Sequence, residues 1–541
     1  MSISRRAMTA AVMALVAFGV PGRPALAVAA ATPDVTPPMG PFGFTTMGLG
    51  QTATYGEPSL AIADDGRHLL VSTPGGGGTN NWYSANDGLT WGTSHTPYGG
   101  GDSALDFLHD GTALVEDLHV TNANGSPPDS GVRVSHDYGK TWGPVAHAGI
   151  EQDRAWFAHS PDNKTLYLVY HDFVLEAEFI SVSTDGGVTW TNTPVNQIPV
   201  NSTGQGTALP ILLGGHSGTP ASILDQGVNT FSGPMLVDPN GKDLYVVYSI
   251  SDFVSNANPQ TGVPPYGPVR ALVLAHSADA GATWTDTLAD VPDGTATSES
   301  IEGTFFPWGF LDANGTVYLT FDSTRGGAPG DHFHRYYIYS KDKGATWSKP
   351  FKIDTLAIGN GSTTYSTGDS PAPGVIDTAW YESATGSPSQ DTSTWTPHFA
   401  QVTGADTDHP KVVEQTITTI PNHKGGICLQ GILCGIGPGS KDRSLADFFM
   451  VKINPITHLA EIAYADNNRL GGGKGEVVVA HQTILNPAAS TATGGRTVPL
   501  PNTAPAGPNP LSLLPAAAIT LLGGALVVGR RRRGGPHRGP S

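Results

Sequence analysis

The sequence predicts an all-β chain whose body is a β-propeller of four-stranded blades, seven in number with six as the alternative. Three observations predict it. The 541 residues include 69 Gly and 44 Pro, too many interruptions for long helices to dominate. Five octapeptides of one pattern recur along the chain, and each follows two apolar runs joined by a turn, the mark of a hairpin. With 38% hydrophobic and only 14% charged residues, the chain is apolar enough to bury a large core.

Taken in order, the chain begins with Arg5 and Arg6, an apolar run from Ala7 to Val20, and Ala25-Leu26-Ala27. That is a positive n-region, an apolar stretch too short for a comfortable span, and an A-x-A cleavage site. Residues 1–27 are therefore expected to be a signal peptide, with Ser4-Arg5-Arg6 leaving the twin-arginine route open beside the general one. Residues 28–50 are expected to be a linker and 51–486 the propeller.

The octapeptides start at Ser84, Ser135, Ser183, Ser277 and Ser340 and end at Trp91, Trp142, Trp190, Trp284 and Trp347. Four match S-x-D-x-G-x-T-W in full, and the first carries Asn86 at the Asp position. The third-position carboxylate accepts backbone N–H bonds across a turn, glycine supplies a positive φ, and Trp packs beneath. Such residues fold hairpins and do not catalyse. The spacings are 51, 48, 94 and 63, and 94, roughly double its predecessors, implies a blade whose octapeptide is missing. Inner hairpins read as apolar pairs, for example Pro58–Ala63 with Leu69–Val71, and Met235–Val237 with Leu244–Tyr248. Blade starts are expected near residues 57, 102, 153, 232, 303, 370 and 445, the last two without an octapeptide.

The octapeptide resembles the Asp box, or BNR repeat, of sialidase-like β-propellers, over about residues 51–486. The resemblance implies an exo-acting glycoside hydrolase. Sialidases use an arginine triad to clamp the substrate carboxylate, a Tyr nucleophile assisted by Glu, and an Asp acid. Carried over by position, Asp153 would be the acid, Arg154 and Arg443 two clamp residues, Arg335 or Arg270 the third, and Tyr365, in Tyr365-Ser366, the nucleophile. The family's first arginine stands in an F/Y-R-I-P segment, which this chain lacks; its equivalent region reads Tyr55-Gly56-Glu57-Pro58-Ser59.

Polar residues at the starts of a propeller's inner strands point into one shared mouth. Here they are Glu57, Asp102 with Asp106, Asp153-Arg154, Glu302, Asp369, Asp442-Arg443 and Asp447. For each of them a strand-edge cap or salt bridge is the alternative role. A general acid needs its pKa raised by burial or a like charge, which an acidic ring supplies. Asp153, Arg154, Arg443, Tyr365 and Glu302 are thus the candidate catalytic residues. The same oxygen-rich ring suits Ca²⁺, although no D-x-D-x-D-G loop is present; no other cofactor is expected.

Cys428 and Cys434, the chain's two cysteines, enclose five residues in a Gly-rich loop, and in an exported protein a local disulfide is expected. Residues 487–510 read as a stalk rich in Ala, Thr, Pro and Asn. Leu511–Gly529 is apolar and uncharged, and Arg530 to Arg533 follow at once. With Leu500-Pro501-Asn502-Thr503-Ala504 upstream, this order resembles an LPXTG-type cell-wall sorting signal, in which a sortase cuts after Thr and joins it to the wall. Ala504 replaces the family's Gly, and a plain single-span anchor in 511–541 is the alternative. Either way the propeller faces outward as a monomeric ectodomain. Eight of the 29 basic residues lie in 1–27 and 511–541, leaving 21 against 46 acidic in the body, a net charge of −25 that repels nucleic acid. The expected partners are extracellular glycans or glycoproteins, with the sortase and wall as transient and final attachments. A surface hydrolase, a glycan- or protein-binding propeller and a bare scaffold are the three functional classes left standing.

Overall fold

A computed structural model describes residues 34–35, 42–51, 56–119 except 76, 129–194 except 151 and 173–176, 228–253, 266–290, 306–429 except 327 and 329, 442–445, 447, and 449–484 except 471–474. Among these residues there are strands and turns but no helix. The strands form seven antiparallel sheets, each stepping outward from a first strand at the ring's axis. The first strands are Ser59–Ile62, Ser103–Phe107, Gln152–His159, Val228–Val237, Trp308–Leu311, Ser362–Ala372 and Met450–Ile453. Each touches the next, and the last touches the first, so the ring closes with seven blades. The signal peptide, the stalk, the 500–504 motif and the anchor lie outside the described residues.

Closure overturns one expected boundary. Within 28–50, expected to be a linker, Phe42–Gln51 is a strand that pairs with Glu476–Ile484, and Asp34–Val35 adds beyond it. Blade 7 therefore takes its fourth strand from the front of the chain. Its third and fourth strands are not joined by a turn, which is why it has no octapeptide.

Blades 1 to 5 each carry one octapeptide, always between the third and fourth strands. The hydrogen bonds are local and repeated. In blade 2, Ser135 Oγ donates to Asp137 Oδ1 at 2.8 Å and accepts from Gly139 N at 2.9 Å, while Thr141 N and Oγ1 donate to the two Asp137 oxygens at 2.8 and 2.7 Å. The fourth position also adopts a positive φ, +59° at Asp87 and +60° at Tyr138. Gly139 lies against Leu70 of blade 1, where a Cβ would come within 2.3 Å, so the turn also seals the joint to the preceding blade. Among the described residues, the 94-residue interval holds no blade that lacks an octapeptide. The extra length is the stretch 195–227 between blades 3 and 4 together with the long strands of blade 4, such as Tyr266–Ser277.

The second strands explain the continuous apolar runs. Flanked by strands on both edges and by blades on both faces, Tyr245 to Tyr248 is at most 1% exposed. Blade 6 breaks this pattern with a charge. Asp377 is fully buried; Gln401 Nε2 donates to its Oδ1 at 3.0 Å, and Oδ2 has no hydrogen-bond partner among the described residues. Burial pushes its carboxyl up to about 8, and burial does the same to Glu116 in blade 2. An acid raised in the folded state adds stability below its unfolded pKa, about 4, and loses it as pH rises through the folded value. The melting temperature is therefore expected to fall between pH 5 and pH 9. Asp377→Asn, which keeps the shape without the charge, is expected to recover about 1–3 kcal/mol at pH 9. Equal pH slopes for the two proteins in thermal scans would contradict this.

Candidate functional site

Three first strands carry register shifts at residues the sequence singled out or beside the axis: between Gln152 and Ala155, between Ser232 and Met235, and between Thr364 and Thr367. A bulge re-aims side chains that strict alternation would send to opposite faces. The first shift contains Asp153-Arg154 and the third contains Tyr365-Ser366. Among the described residues, two non-glycine residues outside hairpin turns have φ near +60°, Glu57 at +58° and Tyr365 at +61°. Both are buried. Backbone strain of this kind collects where function demands a position.

Acids from four blades meet there. Glu57 stands just before blade 1, Asp102 before blade 2, Asp153 in blade 3, and Asp447 before blade 7. Arg443 Nη2 donates to Glu57 Oε1 at 3.2 Å and to Asp447 Oδ2 at 2.5 Å. Burial and then the Asp102 charge push Glu57 well above the carboxylate range, against the pull of Arg443, and the Glu57 carboxyl hydrogen-bonds to Asp102. Asp153 is partly open to solvent yet densely surrounded by protein. Burial, with the Asp102 charge adding to it, holds its carboxyl up to about 7, while His171 and Arg443 pull the other way. The cluster is thus an acidic mouth with one partly exposed guanidinium at its edge.

Beneath it lies a second guanidinium. Arg154 is fully buried, donating from Nη1 to the Ser103 carbonyl at 2.5 Å and from Nη2 to Ser59 Oγ at 3.2 Å, and stacking 3.9 Å over the Trp156 ring. Burial draws it down to about 10, although Asp102, Glu116, Glu57 and Asp153 all favour its charge. Trp156 meets Trp308 edge to face at 5.1 Å. This layer floors the mouth above a cavity of about 240 Å³ lined by all seven first strands.

The expected clamp is therefore altered. Arg154 faces the acids but is sealed from any ligand, so it positions them. Arg335 is fully buried elsewhere, 3.6 Å from Asp322 and donating to Thr378 Oγ1 at 2.9 Å, in the joint between blades 5 and 6. Tyr365 borders Arg443 and Asp447, but its Oη donates to the Cys428 carbonyl at 3.2 Å, and burial pushes the phenol well above its ordinary value. That geometry does not present a nucleophile. Asp106 lies further down the channel, 3.9 Å from His159, and Asp369 accepts from Ser370 N and Ile453 N. Asp442 is exposed and caps Ser444. Glu302 and the Arg270 side chain lie outside the described residues. Cys428 is disulfide-bonded; Cys434, the other cysteine, is also outside them.

Sequence reasoning missed the layer behind Asp153. His171 and Glu178 face each other at 3.4 Å across the second and third strands of blade 3, both buried, and Glu116 accepts from Ser130 in blade 2. The available signal was a charged residue inside an apolar run, as in Leu114-Val115-Glu116-Asp117-Leu118. As for calcium, Arg443 already occupies Glu57 and Asp447, and no calcium shell is proposed at this mouth.

No protein-family model and no curated protein sequence matches the chain. Among solved structures, it is similar to a sialidase of Streptococcus pneumoniae, NanB, at 12% identity and TM-score 0.39, covering 81% of this chain and 70% of that one. It is similar to a GH93 α-L-arabinofuranosidase of Fusarium graminearum at 13% and 0.39, covering 65% and 97%. A PL25 ulvan lyase gives 11% and 0.46, covering 80% and 95%. At these identities and scores no activity passes to the chain by likeness.

Proposed function

We propose that the chain is an exported, wall-anchored or single-span-anchored propeller that hydrolyses extracellular glycans, with Asp153 as general acid. What carries the reading is the meeting of Glu57, Asp102, Asp153 and Asp447 from four blades at one end of the ring. An acid held up to about 7 keeps its proton at mildly acidic pH and can pass it to a glycosidic oxygen. The Glu57 proton directed at Asp102 leaves that pair to accept or stabilise positive charge developing at the sugar. Arg443 is already paired with Asp447 and hydrogen-bonded to Glu57, and Arg154 is buried, so no guanidinium among the described mouth residues is left to receive a substrate carboxylate. The substrate class is therefore neutral glycans. Anchoring through Leu500-Pro501-Asn502-Thr503-Ala504 belongs to the same proposal, with a sortase as transient partner.

One observation favours a second reading, a glycan-binding propeller: the Tyr365 phenol is turned to a backbone carbonyl, and the chain has no exposed arginine clamp among the described mouth residues. Incubating the full chain with fluorogenic glycosides, neutral and sialylated, decides between them. Release from neutral glycosides alone is the expected result. No turnover with retained glycan-array binding would make it a lectin.

A further inference from the structure

We propose that Glu382, His398 and Glu414, on the second, third and fourth strands of blade 6, form a Zn²⁺ site that staples the blade's outer strands. Val375–Ser383, Thr394–Thr403 and Lys411–Thr416 are these strands, and none of the three residues belongs to the acidic mouth. Register sets the arrangement. His398 lies opposite Trp380 on one side and Thr416 on the other, so Glu382 and Glu414, each two residues from those partners, flank it diagonally on the same face.

Three donor atoms converge. His398 Nδ1 is 2.9 Å from Glu414 Oε1 and 3.6 Å from Glu382 Oε1, and all three lie within 4.8 Å of one another. Ligands about 2.0–2.1 Å from a tetrahedral zinc stand about 3.3 Å apart, midway between the two spacings observed. Each donor is also oriented from behind, the arrangement that outer partners give to metal ligands. Trp380 Nε1 donates to Glu382 Oε2 at 3.0 Å, Thr355 N donates to Glu414 Oε2 at 2.6 Å, and His398 Nε2 bonds Thr396 Oγ1 at 3.2 Å. One oxygen of each glutamate is thereby occupied, and the other faces the histidine nitrogen.

The charge balance calls for a cation. Two buried glutamates share one imidazole, and Lys352 is committed to Asp354 at 2.7 Å and to the carbonyls of Asp354 and Leu356. The side chains keep 5–12% exposure and the fourth strand is the blade's outer edge, so an ion can enter from the rim and retain a water as fourth ligand. Blade 6 is the one blade whose third and fourth strands are joined by a turn without an Asp box, and His398 and Glu414 bridge those two strands.

The test is calorimetric titration of the chelator-treated full chain with Zn²⁺, followed by thermal scans. One tight site per chain and a raised melting temperature are expected. In Glu414→Gln and His398→Gln, affinity for that site should fall at least tenfold and the thermal gain should vanish, with near-ultraviolet circular dichroism reporting a retained fold. Should His398→Gln fail to fold, Glu414→Gln on the edge strand decides alone. Absence of a tight site in the wild type, or the same tight site and thermal gain in Glu414→Gln, would leave a closed histidine–carboxylate cluster and overturn the assignment.

Discussion

Asp153→Asn is expected to lower kcat on neutral glycosides by about 10²- to 10⁴-fold, the usual contribution of a positioned general acid. Asparagine keeps the size and the bulge but has no proton to give. Wild-type turnover should fall as pH rises past about 7, because the acid must be protonated and its carboxyl is held up to about 7. That alkaline limb should be missing from whatever activity the variant retains. Glu57→Gln is expected to do less, about tenfold, since glutamine still donates toward Asp102 and still accepts from Arg443. Undiminished kcat in folded Asp153→Asn, or an unchanged alkaline limb, would remove Asp153 from the mechanism.

The parts of this molecule that were legible in the sequence are those whose physics is local. The octapeptide turns could be read because Ser135, Asp137, Gly139 and Thr141 bond one another within seven positions. The acidic mouth could be read in outline, because first strands share one channel and Glu57, Asp102, Asp153 and Asp447 all precede or begin one. Depth along the channel could not be read. Asp106 and Asp369 looked like mouth residues by position but lie further along it, since strand length and bulges set the depth. Nor does a guanidinium announce its burial: Arg154 and Arg335 look like clamps in a sequence and are fully buried in the fold. The closing strand Phe42–Gln51 finds its partner at the other end of the propeller, and no local pattern points there.

Arg335→Ala is expected to destabilise the fold by about 3–5 kcal/mol in urea unfolding, the loss that follows when one member of a buried ion pair is removed. Asp322 would remain fully buried with Thr363 Oγ1 as its remaining side-chain hydrogen-bond donor among the described residues, and Thr378 Oγ1 and the Thr367 carbonyl would lose the donor that joins blade 5 to blade 6. The charge, more than the missing contacts, makes the loss large. Burial already pushes the Asp322 carboxyl up even with the guanidinium present, and draws Arg335 down to about 10. The double variant Arg335→Met with Asp322→Asn removes both charges, keeps most of the volume beside Trp380, and should regain most of the stability. A clamp residue would behave in the opposite way: glycan binding would be lost in Arg335→Ala while the urea midpoint stayed in place. The pair of variants therefore separates an arginine that holds two blades together from one that holds a ligand.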